Sequence, residues 1–193
     1  MAGHGWVTLL VNNAGVALMG DFEQATLDDF EWLFGINFCA PVRPTRAFLP
    51  VLRQQPVAQI VNVPSVFGVS TPPGQTACCA ANFALRGFSE ALRHKLGTTG
   101  KAWLSAVIDP AGAARAAKQF ATTFITTAEQ AAARTVVGIK KREKRILIGR
   151  DVGLLDVFQR LTPTRYRALT RKRAGQRPRS FVKSIAAQEQ THG

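Results

Sequence analysis

Apolar positions along this chain alternate between two kinds of pattern. Val7–Val11, Ile60–Val63 and Trp103–Ile108 are short continuous runs that end in Asn12-Asn13-Ala14-Gly15, Pro64-Ser65 and Asp109-Pro110. Runs of this length, bounded by turn residues, read as strands buried in a parallel sheet. Arg145–Ile148, closed by Gly149, reads as a fourth. Between them the apolar residues recur at helical spacing. Thr26 opens a first helix, with Asp29 three positions on as an acidic capping box, and Leu27, Phe30, Leu33, Phe34 and Phe38 form its apolar stripe. The pattern continues through Arg46–Leu52, interrupted by Pro41 and Pro44. A proline in a helix interior removes a donor and crowds the preceding turn, at about 3 kcal/mol, so a kink or break is expected there. A second helix runs from Thr76 to Leu96 and stops at Gly97. Thr127 with Gln130 opens a third, reaching Lys141, and Asp151–Leu161 is a further amphipathic helix. The alternation predicts an α/β fold: a partial doubly wound parallel sheet of about four strands with flanking helices.

Composition narrows the class. The 193 residues suit one domain, and 46% apolar against 19% charged residues describe a globular chain. No apolar run approaches the roughly 20 residues that span a bilayer. The N-terminal stretch MAGHGWVTLLVNNAG lacks the basic start and cleavage site of a signal peptide, so a soluble cytoplasmic protein is expected. Cys39, Cys78 and Cys79, with the scattered His4, His94 and His192, have no metal-ligand spacing, so no metal is expected and reduced thiols are. The formal net charge is +13, much of it late in the chain: Lys140, Lys141, Arg142, Lys144 and Arg145, then Arg165 to Arg179. No nucleic-acid motif accompanies this charge. Residues 1–173 are read as the domain and 174–193 as a frayed basic tail; the alternative for the basic region is weak binding to an anionic surface.

The chemistry-bearing residues carry a resemblance. Asn12-Asn13-Ala14-Gly15 ends a strand, Asn37 lies in GINF, and Ser65 precedes Cys78 by thirteen positions. The segment GQTACCAANFALRGFSE, Gly74–Glu90, continues as Ala91-Leu92-Arg93. In order and at this spacing, these motifs resemble the short-chain dehydrogenase/reductase family from about His4 to Arg173. The resemblance implies a Rossmann-like fold, NAD or NADP as cofactor, and oxidoreduction of alcohols and ketones. It implies a Tyr that transfers the substrate proton and a Lys⁺ that lowers its pKa and holds the nicotinamide ribose. It also implies a Ser that orients the substrate oxygen and an Asn that holds a relay water. Ser65 and Asn37 stand at the last two positions, whereas Cys78 and Asn82 stand where the family has Tyr and Lys. Asn12, Ala14, Gly15, Pro110 and Gly112 match positions beside the cofactor.

The departures are as informative. A thiol is shorter than a phenol by a whole ring, and neutral Asn82 supplies no charge to depress a neighbouring pKa. The lone tyrosine, Tyr166, is far along the basic region. Pro64 precedes Ser65, and Ala111 stands at a glycine position of the Pro-Gly loop. No residues match the family's glycine-rich phosphate turn, and about three βα units of roughly 30 residues each are expected to be missing before the first strand. The resulting expectation is a truncated, catalytically impaired family member whose cofactor binding is weak or lost. Two alternatives stay open: a working NAD(P)-dependent oxidoreductase completed by an N-terminal half, and a non-enzymatic module that pairs with an intact relative. The helices at 26–54 and 75–96 are the expected surfaces for a homodimer or heterodimer, and the first strand is an edge that some chain should cover.

Overall fold

A computed structural model describes residues 6–97, 102–108, 126–163 and 182–185, of which 102–108 and 182–185 are described by backbone alone. Two strands open the chain, β1 (Leu9–Asn12) and β2 (Val16–Met19). They are followed by β3 (Ala58–Asn62), β4 (Ala102–Ile108), β5 (Arg145–Leu147) and β6 (Val182–Ile185). The helices are α1 (Leu27–Phe34), α2 (Ala40–Gln54), α3 (Thr76–Gly97), α4 (Ala128–Lys140) and α5 (Arg150–Leu161). Four strands form the predicted parallel sheet in the order β1-β3-β4-β5.

Leu10 pairs with Ile60 and Val11 with Val61. Successive side chains point to opposite faces of a sheet, so the two pairs serve different layers. On one face Leu10 and Ile60 pack with Phe48 and Leu52 of α2 and Leu92 and Leu96 of α3. On the other, Val61 and Ile146 pack with Ala131 and Ile139 of α4. Leu52, Ile60 and Leu96 have no exposed surface, and each such burial contributes about 1.5–3 kcal/mol. Among the described residues β1 lies at the edge of this sheet, as the sequence predicted. Its Leu9 and Val11, on the α4 face of the sheet, are 43% and 46% exposed.

Both capping boxes form. The Asp29 amide donates to Thr26 Oγ1 (3.2 Å) while the Thr26 amide donates to Asp29 Oδ2 (3.0 Å), and Thr127 and Gln130 repeat the arrangement at 3.3 and 3.1 Å. The expected interruption at Pro41 and Pro44 takes another form. A π-helical turn, Gly35–Cys39, joins α1 directly to α2, with the Ala40 amide reaching Gly35 O. Pro41 follows this widened turn in the first turn of α2, where the change of hydrogen-bond spacing accommodates a residue without an amide. The helix continues past Pro44 and also contains Pro50.

The antiparallel pair of β2 with β6 has no counterpart among the sequence-based expectations. Val16 lies opposite Ile185 and Met19 opposite Val182. β2 follows its loop too closely to be separated from it by pattern, and β6 falls within 174–193. For Val182–Ile185 the expectation of a frayed tail is therefore corrected: β2 supplies a hydrogen-bonding edge that an isolated basic segment lacks. Among the described residues, no helix is long and apolar enough to cross a membrane.

Candidate functional site

The predicted site residues gather around the N-terminal half of α3. Cys78, Asn82 and Arg86 follow one another at intervals of four and so lie along one face of the helix. Each is tied to backbone of a different segment. Cys78 Sγ accepts from the Leu18 amide (3.1 Å) and donates to Leu18 O (3.3 Å), fastening β2 to the helix. Asn82 Oδ1 accepts the Ser65 amide (2.7 Å), and its Nδ2 donates to Cys78 O one turn back (2.8 Å). Arg86 Nη1 donates to Gly68 O (2.9 Å), with Nε on Glu90 Oε1 (3.2 Å). The 3-10 turn Val66–Gly68, capped by Ser65, is thus held at both ends from α3. Gly68 allows that approach: a Cβ there would lie 3.2 Å from Asn82 O, tighter than backbone readily tolerates.

Asn37, in the π turn, completes the cluster from the other side. Its Oδ1 accepts the Val16 amide (2.8 Å) and its Nδ2 donates to Val16 O (2.9 Å). Asn37 and Cys78 therefore use the backbone groups of Val16 and Leu18, which point to one edge of β2. Successive backbone groups point to opposite edges, so Ala17 and Met19 face β6. Asn37, Cys78 and Asn82 are all buried, and Ser65 is half-buried.

The cofactor-side positions diverge from this cluster. Asn12 turns toward the sheet, its Nδ2 donating to Asn62 Oδ1 (2.7 Å) and Thr45 Oγ1 (3.1 Å). Ala14 is exposed; a Cβ on Gly15 would meet Asn37 Oδ1 at 3.6 Å, ordinary contact. Pro110 and Gly112 lie outside the described residues. Asn62, unremarked in the sequence, is the hub of the interior network. It accepts from Asn12 and donates through Nδ2 to Ser89 Oγ (2.8 Å), which in turn donates to Leu85 O (2.7 Å). The one signal for Asn62 was a polar residue inside the apolar run Ile60–Val63. Such a residue, fully buried, requires partners.

Burial governs the electrostatics. It pushes the Cys78 thiol up to about 11, opposed in part by the hydrogen bond from Leu18. Burial, then the neighbouring Cys78, pushes Cys79 up to about 12. Cys39, Cys78 and Cys79 are free thiols. Neither buried thiol is a thiolate near neutral pH, and Asn37, Ser65 and Asn82 do not ionise there. Asn37, Ser65, Cys78 and Asn82 cross-link segments of the chain through hydrogen bonds.

The family profile described as short chain dehydrogenase matches residues 1–111. The protein SadH of Mycobacterium tuberculosis is 32% identical over 186 residues, covering 88% of this chain and 67% of its own length. A short-chain dehydrogenase from Streptomyces avermitilis superposes with a TM-score of 0.68 at 26% identity, covering 87% of this chain and 72% of its own. A short-chain dehydrogenase/reductase from Burkholderia phymatum, solved in complex with NAD, gives a TM-score of 0.67 at 24% identity, covering 91% and 71%.

Proposed function

The chain belongs to the short-chain dehydrogenase family, and from that membership we propose that it keeps the family's Rossmann-like scaffold with its proton-transfer chemistry disabled. One observation carries the reading: both side chains at the Tyr and Lys positions serve as structural ties. Cys78 is closed onto Leu18 and Asn82 bridges Ser65 to Cys78. Loss of a positioned general acid alone costs about 10²–10⁴-fold in rate. A nicotinamide ribose, which the Lys would hold, finds at Asn82 a neutral amide whose oxygen and nitrogen are already engaged. The residues present do not fit that group, and cofactor binding is weak or lost. The ancestral activity is NAD(P)-dependent alcohol and ketone oxidoreduction.

The expected outcome is no ketone reduction with either nicotinamide cofactor above that of a Ser65→Ala variant, and no saturable enhancement of nicotinamide fluorescence. Turnover that Ser65→Ala abolishes would overturn the reading. The exposed Leu9 and Val11 on an edge strand favour a second reading, a non-enzymatic module that associates with an intact relative. Co-purification with such a relative supports it, and a chain that remains monomeric in the relative's presence refutes it.

A further inference from the structure

Among the described residues the parallel sheet ends in two edges, β1 and β5, and only one of them is guarded. β5 is three residues long and contains Arg145, whose guanidinium is fixed on Asp156 of α5 (2.6 and 3.0 Å). Short strands and charged side chains are what keep a sheet edge from pairing with another chain. β1 has four residues, none of them charged, with no proline and an unbroken register on β3. No Asp, Glu, Lys or Arg occurs in the sequence before Asp21.

The backbone of β1 divides its hydrogen bonds by parity. Thr8 O accepts the Gln59 amide (2.7 Å) and Asn12 O accepts the Val63 amide (3.0 Å), so the even-numbered residues face β3. Successive backbone groups point to opposite edges, and those of Leu9 and Val11 therefore point away from the sheet. The same two residues carry the exposed apolar side chains on the α4 face. One symmetry operation satisfies both. A two-fold axis beside Leu10 sets Leu9 antiparallel and opposite Val11 of a second copy, where the two residues exchange both their backbone hydrogen bonds. Residues opposite one another share a face, so Leu9 and Val11 of the two copies meet in one apolar cluster. Each copy uses this edge once, which closes the contact at a dimer. Charge favours the same occupant. Copies of a chain with net charge +13 repel wherever charged faces meet, and β1 brings no charge to the contact. An acidic partner finds no cation on this strand.

We propose that β1 is a self-association edge, through which two copies of this chain join their sheets about a two-fold axis. This goes beyond the second reading above, which gives the edge to an intact relative, and it requires no catalytic chemistry. The test is sedimentation velocity of the full chain over a range of protein concentrations. A reversible monomer–dimer equilibrium is expected, and raising the salt should not weaken it. Val11→Lys places like charges across the axis and should weaken the dimer at least about tenfold. Val11→Pro removes an amide that faces away from β3 and should have a similar effect. Circular dichroism melts check that both variants fold. Amide exchange in the unaltered protein tests the geometry without any variant: Leu9 and Val11 should gain protection as concentration rises, while Leu10 stays unchanged. A chain that is monomeric at every concentration would overturn the proposal. So would a dimer that neither substitution weakens, which would give association to another surface, or a chain that pairs only with an intact relative.

Discussion

At the scale of single residues, Cys78 joins burial to hydrogen bonding with a distant strand. The thiol occupies the space beside β2, hydrogen-bonds Leu18 in both directions, and is pushed from an ordinary value of 9.0 up to about 11. The folded state therefore holds this proton more tightly than the unfolded chain. The stability so contributed is fully present below about pH 9 and is lost as pH rises toward about pH 11. Each tenfold difference in proton affinity between the two states is worth about 1.4 kcal/mol, so Cys78 accounts for a loss on the order of 2–3 kcal/mol, and Cys79 adds to it. Urea denaturation should show a midpoint that falls between these pH values. In the Cys78→Ala, Cys79→Ala variant the midpoint starts lower, because a packed group is missing, but falls less steeply. Equal slopes in the two proteins would show that the thiols do not drive the alkaline loss.

At the scale of elements, the sheet and α4 meet at one glycine. A Cβ on Gly138 would sit 2.5 Å from Ile146 Cδ1 and 2.6 Å from its Cγ1, and Ile146 is fully buried. Gly138→Ala gains about 1 kcal/mol in helix propensity, while forcing Ile146 from its place costs about 1–3 kcal/mol. The net effect expected is destabilisation on the order of 1 kcal/mol, seen as a lower urea midpoint. Ile146→Val in the same background should recover part of it, which a purely helical effect would not allow. Elements of this kind were legible in the sequence wherever local chemistry is sufficient. Thr26 with Asp29 and Thr127 with Gln130 fix helix starts through neighbours three residues away, and the apolar runs of β1, β3 and β4 fix a parallel sheet, although β1, read as buried, is its half-exposed edge. Cys78 and Asn82 were legible as departures from a motif, but their ties to Leu18 and Ser65 depend on segments far away in sequence. β2 was illegible for the same reason: VALM has no periodicity of its own, and what makes it a strand is supplied by Asn37, Cys78 and β6.

At the scale of the whole molecule, β2 is the place where distant parts of the chain converge. Its alternate backbone groups divide their partners: Val16 and Leu18 are held by Asn37 and Cys78, while Ala17 and Met19 face β6. The first set comes from helices packed in the core, the second from a segment near the C-terminus whose pairing closes a very long loop. The two edges of one four-residue strand should therefore differ in cooperativity. A chain ended after Ala174 removes β6 and leaves Asn37 and Cys78 in place. In that chain the amides of Ala17 and Met19 should exchange with solvent at least about tenfold faster, since each loses a bond worth about 0.5–1.5 kcal/mol net. The amides of Val16 and Leu18 should stay protected, because their acceptors are side chains of the core cluster. Exchange read residue by residue distinguishes this from general loosening, in which all four amides would accelerate together. Uniform acceleration would mean that β6 holds the site closed as a unit. Selective acceleration would mean that Asn37 and Cys78 hold β2 by themselves.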